Sequence, residues 1–363
     1  MRSMDIAFSR DYLQARRKFL AAANLRGLQI TSHEHPLLGA QGEALFTDVV
    51  RIGSQKAARL LVLTSGVHGL ELFAGSGCQI EWLLQHSADA LPADTAVVVV
   101  HAINPWGASH LRRYTEDNVD LCRNYVDHAQ LPVSAKYPQL HACIDVDPQD
   151  APQVTRADAG LTAYASEHGH DALYTALMGG QYAFPLGMGF GGTTATWSRQ
   201  TMEALLREQC AGARHVCMID YHTGLGPYSY GSMVALQRGA GLQRIREIFG
   251  EWVVAVYDEA KSQDFEPVTG HTTPGYELAL PDACVTPAVL EYGTSRPQRM
   301  LELLVRDQRD WCFGQGLAGN RITETRRELL EFFYPDDAHW RRALADQSHR
   351  FVARALGFLA QSV

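Results

Sequence analysis

A chain of 363 residues with 46% hydrophobic content is long enough to bury a large core, as one big α/β domain or two smaller ones. A formal charge of −8 and a pI near 6.0 argue against the broad basic surface that nucleic acid or an anionic membrane requires, leaving small or peptide-like partners. No stretch reaches the roughly 18 apolar residues of a membrane span, and the N-terminus MRSMDIAFSRDYLQARRKFL lacks the apolar run of a secretory signal. Seven cysteines without a CxxC pair read as free thiols of a reducing compartment, so the expected location is the cytoplasm.

Ser9 to Ala23 has the spacing of an amphipathic helix, with Ser9 as N-cap and Tyr12, Leu13, Phe19 and Leu20 on one side. Gly27 to Thr31 and Ala44 to Ile52 read as strands, and His33, Glu34 and His35 as solvated residues of the loop between them. The next segment, LLVLTSGVHGLEL, is aliphatic from Leu60 to Leu63, as a strand covered on both faces tends to be. It runs into His68 and Glu71, with Gly69 relieving the backbone between them. A capped strand end followed by an acidic first helical turn explains these two residues when they are taken alone.

Leu72 to Leu84 has helical spacing, and Ala96 to Ala102 (AVVVVHA) is a second buried strand ending in the turn INPWG. Ala108 to Tyr125 carries a charge-dense middle. From 126 to 197 the pattern weakens, with one helix expected around Asp158 to Leu177, and reads as an elaboration on one side of a single domain. Gly187, Gly189 and Gly192 spell GxGxxG, but no apolar strand precedes them, so a mobile loop is expected and not a dinucleotide site. After a helix at Ser198 to Gln209, the strand His215 to Tyr221 ends on His222, Thr223 and Gly224. A helix at Ile245 to Lys261 precedes a last central strand, Thr286 to Glu291, and helical runs at 299–311, 323–333 and 338–359 complete the chain.

Four strand ends thus offer His68 with Glu71, then Arg112 and Arg113 with Asp120 and Arg123, then His222, then Glu291. Two neutral imidazoles and one carboxylate leave one tetrahedral zinc position open for water, as catalytic zinc sites do. Zinc lowers the pKa of that water and polarises a carbonyl. Glu291 is placed to take its proton and pass it to the leaving amine, and arginines are suited to an oxyanion or a substrate carboxylate. GxSxG, Walker A and HExxH are all absent, which disfavours serine hydrolase and nucleotide readings.

The ordered set HGLE (His68 to Glu71), NPWG (Asn104 to Gly107), RRYTEDNVDLCRN (Arg112 to Asn124), DYHTG (Asp220 to Gly224) and LEYGT (Leu290 to Thr294) resembles the zinc carboxypeptidase superfamily. Within it the chain is most similar to the M14-like DUF2817 branch, over roughly residues 25 to 295. The resemblance implies a three-layer α/β/α fold with a mixed sheet of about eight strands, and one zinc at the strands' carboxyl ends. It implies His68, Glu71 and His222 as zinc ligands, Glu291 as general base, and Asp120 as the carboxylate orienting a zinc-bound imidazole. It also implies Arg113 or Arg112 at the oxyanion, and Arg123 with its neighbours Cys122 and Asn124 at the substrate carboxylate. The family pattern is Asp-Leu-Asn-Arg-Asn, whereas Cys122 stands here in place of the first asparagine, a weaker hydrogen-bonding group.

The expected function is carboxypeptidase-like hydrolysis of a peptide or amide bond beside a free carboxylate. The spacing from Arg113 to Arg123 also resembles the aspartoacylase and succinylglutamate desuccinylase deacylases, which makes N-acyl amino acids the alternative substrates. A non-catalytic protein that binds a peptide or acyl amino acid is the third reading, supported by Cys122 alone.

Overall fold

The computed structural model describes residues 6–257, 268–314 and 323–362. Among them are eight strands: β1 (Ile30–Leu38), β2 (Ala44–Gly53), β3 (Arg59–Ser65), β4 (Thr95–His101), β5 (His215–Tyr228), β6 (Gly231–Ala235), β7 (Val253–Ala255) and β8 (Cys284–Gly293). They form one mixed sheet in the order β1-β2-β4-β3-β5-β8-β6-β7. The four middle strands, β4, β3, β5 and β8, are mutually parallel, while β1, β2 and β6 each pair antiparallel with a neighbour.

Side chains alternate across a strand, and here the alternation divides the middle strands between two apolar layers. Leu61, Leu63, Val97, Val99, Cys217 and Ile219 join one cluster, whereas Leu60, Val62, Ala96, Val98, Val216 and Met218 join another on the opposite face. Both faces are covered, which is why the strands read as unbroken aliphatic runs. The architecture is the expected three-layer α/β/α arrangement on a mixed eight-stranded sheet.

The first helices are α1 (Tyr12–Leu25), α2 (Leu72–Gln85) and α3 (Pro105–Ser109). Next come α4 (Tyr137–Ile144), α5 (Ala151–His168), α6 (His170–Met178), α7 (Trp197–Gln209), α8 (Gly239–Phe249) and α9 (Thr272–Ala279). The last are α10 (Pro297–Cys312), α11 (Glu324–Phe333) and α12 (Ala338–Gln361). Residues 126–197 hold α4 to α6, and Tyr137, Leu140, Ile144, Leu177 and Met188 among them join the same apolar cluster as one face of the sheet. No helix among the described residues is long and apolar enough to cross a membrane.

Several local expectations are corrected. The N-cap of α1 is Asp11, whose carboxylate accepts the Gln14 N–H, not Ser9. The expected strand at 27–31 begins at Ile30 and continues to Leu38, so His33, Glu34 and His35 lie on a strand; β1 is a sheet edge, where Pro36 costs no ladder hydrogen bond. The single helix expected over 158–177 is two, α5 and α6, joined at Gly169 with φ 93°. The helix expected over 245–261 stops at Phe249, because Gly250 turns the chain with φ 60° into β7; residues 258–261 lie outside the described residues. The glycine loop at 187–192 is not loose: Phe190 accepts the Asp120 N–H at 2.8 Å, and Gln181 brackets it through a β-bridge.

Candidate metal centre

The centre is built where β3, β4, β5 and β8 end, with the segment 102–124 folded across those ends. Gly66, at φ 78°, ends β3, and a single 3₁₀ turn at Gly69–Glu71 brings Glu71 back under His68. Only glycine fits at 69, since a Cβ there would meet Gly107 C at 2.1 Å and Arg112 O at 2.5 Å. Three non-glycine residues of the covering segment, Ala102, Leu111 and Asn118, hold positive φ, so local backbone strain is concentrated beside the centre.

His68 Nδ1 lies 2.9 Å from Glu71 Oε1, and His222 Nδ1 lies 3.0 Å from Glu71 Oε2. Each ring's other nitrogen is held by an aspartate: His68 Nε2 by Asp120 at 3.3 Å and His222 Nε2 by Asp220 at 3.1 Å. A carboxylate accepts the Nε2 proton, which leaves each Nδ1 lone pair for the point that both imidazoles and Glu71 share. Glu71 is fixed further by Arg113 Nη1 at 3.3 Å and the Thr223 N–H at 3.1 Å. The donor set of two nitrogens and a carboxylate, with both tautomers fixed, fits a divalent metal such as zinc.

Burial opposes charge on the His68 ring, yet Glu71 and Asp120 outweigh it and hold its pKa up at about 10. Burial likewise opposes charge on His222, and Asp220 and Glu71 raise it well above the usual imidazole range. Glu71 and Asp120 both lie well below the usual carboxylate range: burial resists ionisation, but the imidazoles and, for Asp120, Arg113 prevail. Without metal, protons occupy the nitrogens that metal would take, so metal binding must release them.

Glu291 is the register partner of His222 across β5 and β8, which sets the two side chains next to each other on one face. Its Oε1 accepts the Leu225 N–H at 2.9 Å, and burial together with the Glu71 charge pushes its pKa up to about 7. That value suits a group that must take and return a proton near neutrality.

The two adjacent arginines part company. Arg113 faces the centre, with Nε on Asp120 at 3.1 Å. Arg112 points away, with Nε on Asp307 at 2.9 Å and its guanidinium over the Trp311 ring, so of the two only Arg113 reaches the imidazoles' surroundings. Arg123 is buried and is not paired with Asp120; Nε donates to Met178 O at 2.7 Å and Nη1 to Cys122 O at 2.5 Å. Asn124, expected at the substrate, is consumed as a staple: Nδ2 donates to Gly191 O and Thr194 O, and Oδ1 accepts the Thr196 N–H. Cys122 is buried, which resists ionisation of its thiol, but His271 and His68 beside it hold that thiol well below its usual range.

Three residues at the centre went unassigned in the sequence. Asp220 stands two residues before His222, and the period-2 rule for strands puts both on one face, a signal that was available. His271, at the N-cap of α9, and Tyr174 of α6 follow no periodicity that could have flagged them. Tyr174 is close enough to Arg113, Arg123 and Glu291 to feel their charges. It also lines, with Leu225, a cavity of about 1140 Å³ between α5, α6 and α10, whose walls include Leu161, Leu173, Leu301 and Val305. Leu225, on the cavity wall, is also the residue whose N–H holds Glu291.

A family model described as a protein of unknown function (DUF2817) matches residues 8–347, extending past the expected range to include α10, α11 and part of α12. No curated protein matches. Carboxypeptidase A from Helicoverpa armigera is similar in fold, with a TM-score of 0.51 at 10% identity over 99% of this chain and 75% of that one. Thrombin activatable fibrinolysis inhibitor (TM-score 0.49, 10% identity) is covered over 97% of this chain and 75% of its own. For the succinylglutamate desuccinylase from Chromobacterium violaceum (TM-score 0.38, 17% identity), the shares are 91% and 76%.

Proposed function

We propose that this chain, which belongs to the DUF2817 family, is a zinc-dependent hydrolase that cleaves a peptide or amide bond beside a free carboxylate. The observation that carries this reading is the convergence of His68 Nδ1 and His222 Nδ1 on Glu71, with both Nε2 atoms held by aspartates and Glu291 in register alongside. Zinc, when bound, supplies a Lewis acid for the scissile carbonyl and lowers the pKa of a water. Glu291 takes the water's proton and delivers it to the leaving amine. Arg113, held by Asp120 and Glu71, contributes a fixed positive charge for the developing oxyanion. Arg123 docks the substrate carboxylate, and the cavity beside Tyr174 takes the rest of the substrate, which suits a peptide better than a single acyl amino acid.

N-acyl amino acid deacylase is the alternative reading, since an N-acyl amino acid offers Arg123 the same free carboxylate. Asn124 is spent on the 191–196 main chain and Cys122 replaces an amide, so carboxylate docking falls to Arg123 alone. Zinc-loaded protein assayed on C-terminally free peptides, their C-terminal amides and N-acyl amino acids separates the two. Cleavage confined to free-acid peptides supports the first reading, and turnover of acyl amino acids alone supports the second. Absence of turnover on all three, with zinc bound, would leave a non-catalytic binding protein.

A further inference from the structure

The family resemblance gives residue 122 an amide, but this chain places sulfur there, inside the cluster. One donor atom from each of His68, Cys122 and His222 lies within 4.8 Å of the other two, and all three residues are buried. Ligand atoms around a tetrahedral zinc, with Zn–S near 2.3 Å and Zn–N near 2.0–2.1 Å, stand about 3.5 Å apart. The sulfur is therefore little more than about 1 Å from ligating distance, which a cysteine χ1 adjustment spans. Each imidazole thus has a carboxylate oxygen of Glu71 at 2.9 or 3.0 Å and, outside that contact, the Cys122 sulfur within 4.8 Å of one of its nitrogens.

The surroundings of the sulfur support this. The His271 Nδ1 accepts the Thr273 N–H at 3.3 Å and faces the hydroxyls of Thr272 and Thr273, so its proton resides on Nε2. That leaves Nε2–H as the donor of His271, which stands close enough to Cys122 to act on its charge, as an outer contact to a metal-bound thiolate would. Cys122 is also held from behind, since its own N–H donates to Asp120 Oδ1 at 2.9 Å, the same oxygen that orients His68.

We propose that Cys122 is a fourth protein ligand of the metal, giving a resting centre His68, Glu71, Cys122, His222 that is closed by sulfur and must release it before hydrolysis. The inference rests on the zinc reading above. The thiol gives up its proton as the metal–sulfur bond forms, and the four protein donors then fill a tetrahedral ion as they do in structural zinc sites. Departure of the sulfur, reprotonated or held by His271, reopens the position that catalysis needs.

X-ray absorption at the zinc edge of the full, reduced, zinc-loaded chain tests this without recourse to activity. The expected spectrum contains one sulfur at about 2.3 Å among nitrogen and oxygen neighbours, and Cys122→Ser loses that sulfur while keeping its zinc. Zinc bound with nitrogen and oxygen neighbours only would overturn the sulfur ligand and leave the hydrolase reading standing. A sulfur signal that survives Cys122→Ser would place the metal on other cysteines and overturn it as well. A chain that binds no zinc would sink both readings together.

Discussion

Two buried charge clusters begin at neighbouring residues, and only one of them gathers side chains of the kind that ligate a metal. Arg112 leads into a cluster with Asp307, Arg326, Asn118 and Gln308, in which two guanidiniums share one carboxylate at 2.9 and 3.0 Å. Donors exceed acceptors there: Arg112 Nη1 and Arg326 Nη2 are buried with no hydrogen-bond partner among the described residues. Arg113 leads into the opposite imbalance, where Glu71, Asp120 and Asp220, with Glu291 alongside, surround two imidazoles whose Nδ1 lone pairs converge. A cation is repelled by the first cluster and completes the second. Burial of charge does not mark a site; the sign of the unmet demand does. The Arg112 cluster ties α10 and α11 to the covering segment, and α11 in turn accepts the Thr223 hydroxyl through Phe333 O at 2.7 Å. The C-terminal helices, which carry none of the sequence motifs, thus brace the end of the strand that bears His222.

Substitutions in each cluster sharpen this contrast. The largest expected effect is that of Glu291→Gln, which removes the proton acceptor while preserving shape. It should lower kcat by about 10² to 10⁴ at unchanged zinc content, read by steady-state kinetics beside metal analysis. An unchanged rate would remove Glu291 from the chemistry.

Asp307→Ala should act on stability instead, because it strands two buried guanidiniums. Urea unfolding is expected to show a loss of about 3 to 5 kcal/mol, with zinc stoichiometry of the folded protein intact. Loss of zinc without loss of stability would merge the two clusters into one.

Arg123→Lys exchanges a two-pronged donor for a point charge, and kcat/KM on free-acid substrates should fall at least about tenfold, or about 1.4 kcal/mol. A comparable loss is expected when the wild-type protein meets the C-terminal amide of the same substrate. Equal cleavage of acid and amide would assign Arg123 to the fold.

The smallest effect is in the pH profile. Glu291 must be ionised to accept a proton, and its pKa is raised to about 7, so kcat/KM should rise with pH through an acid limb. A bound divalent cation draws that limb to or below about 7. The limb should vanish in residual Glu291→Gln activity, and its persistence would assign it to another group.

The candidate centre is legible in the sequence because side chains proposed for it stand at the ends of buried parallel strands and follow unbroken aliphatic runs, as His68 follows Leu60–Leu63 and His222 follows β5's apolar start. It was less informative wherever geometry depends on an edge or on a long-range contact. The strand pattern ends short of β1's true length because an edge strand keeps polar residues and a proline, and helical periodicity runs past the end of α8 because nothing but Gly250 itself warns of the turn. Arg112 and Arg113 are indistinguishable as letters; what divides them is Asp307, 195 residues away in the chain. Asn124 was assigned to the substrate by motif position, whereas its amide is satisfied by a loop that no local pattern links to it.

The central claim is that the Nδ1 atoms of His68 and His222 converge with Glu71 on one zinc ion. Metal analysis of the purified full chain, beside the single variants His68→Ala and His222→Ala, tests it most directly. About one zinc per folded wild-type chain is expected, with near-complete loss in both variants and folding checked by circular dichroism. Full zinc occupancy in either folded variant, or a wild-type chain that takes up none, would contradict it.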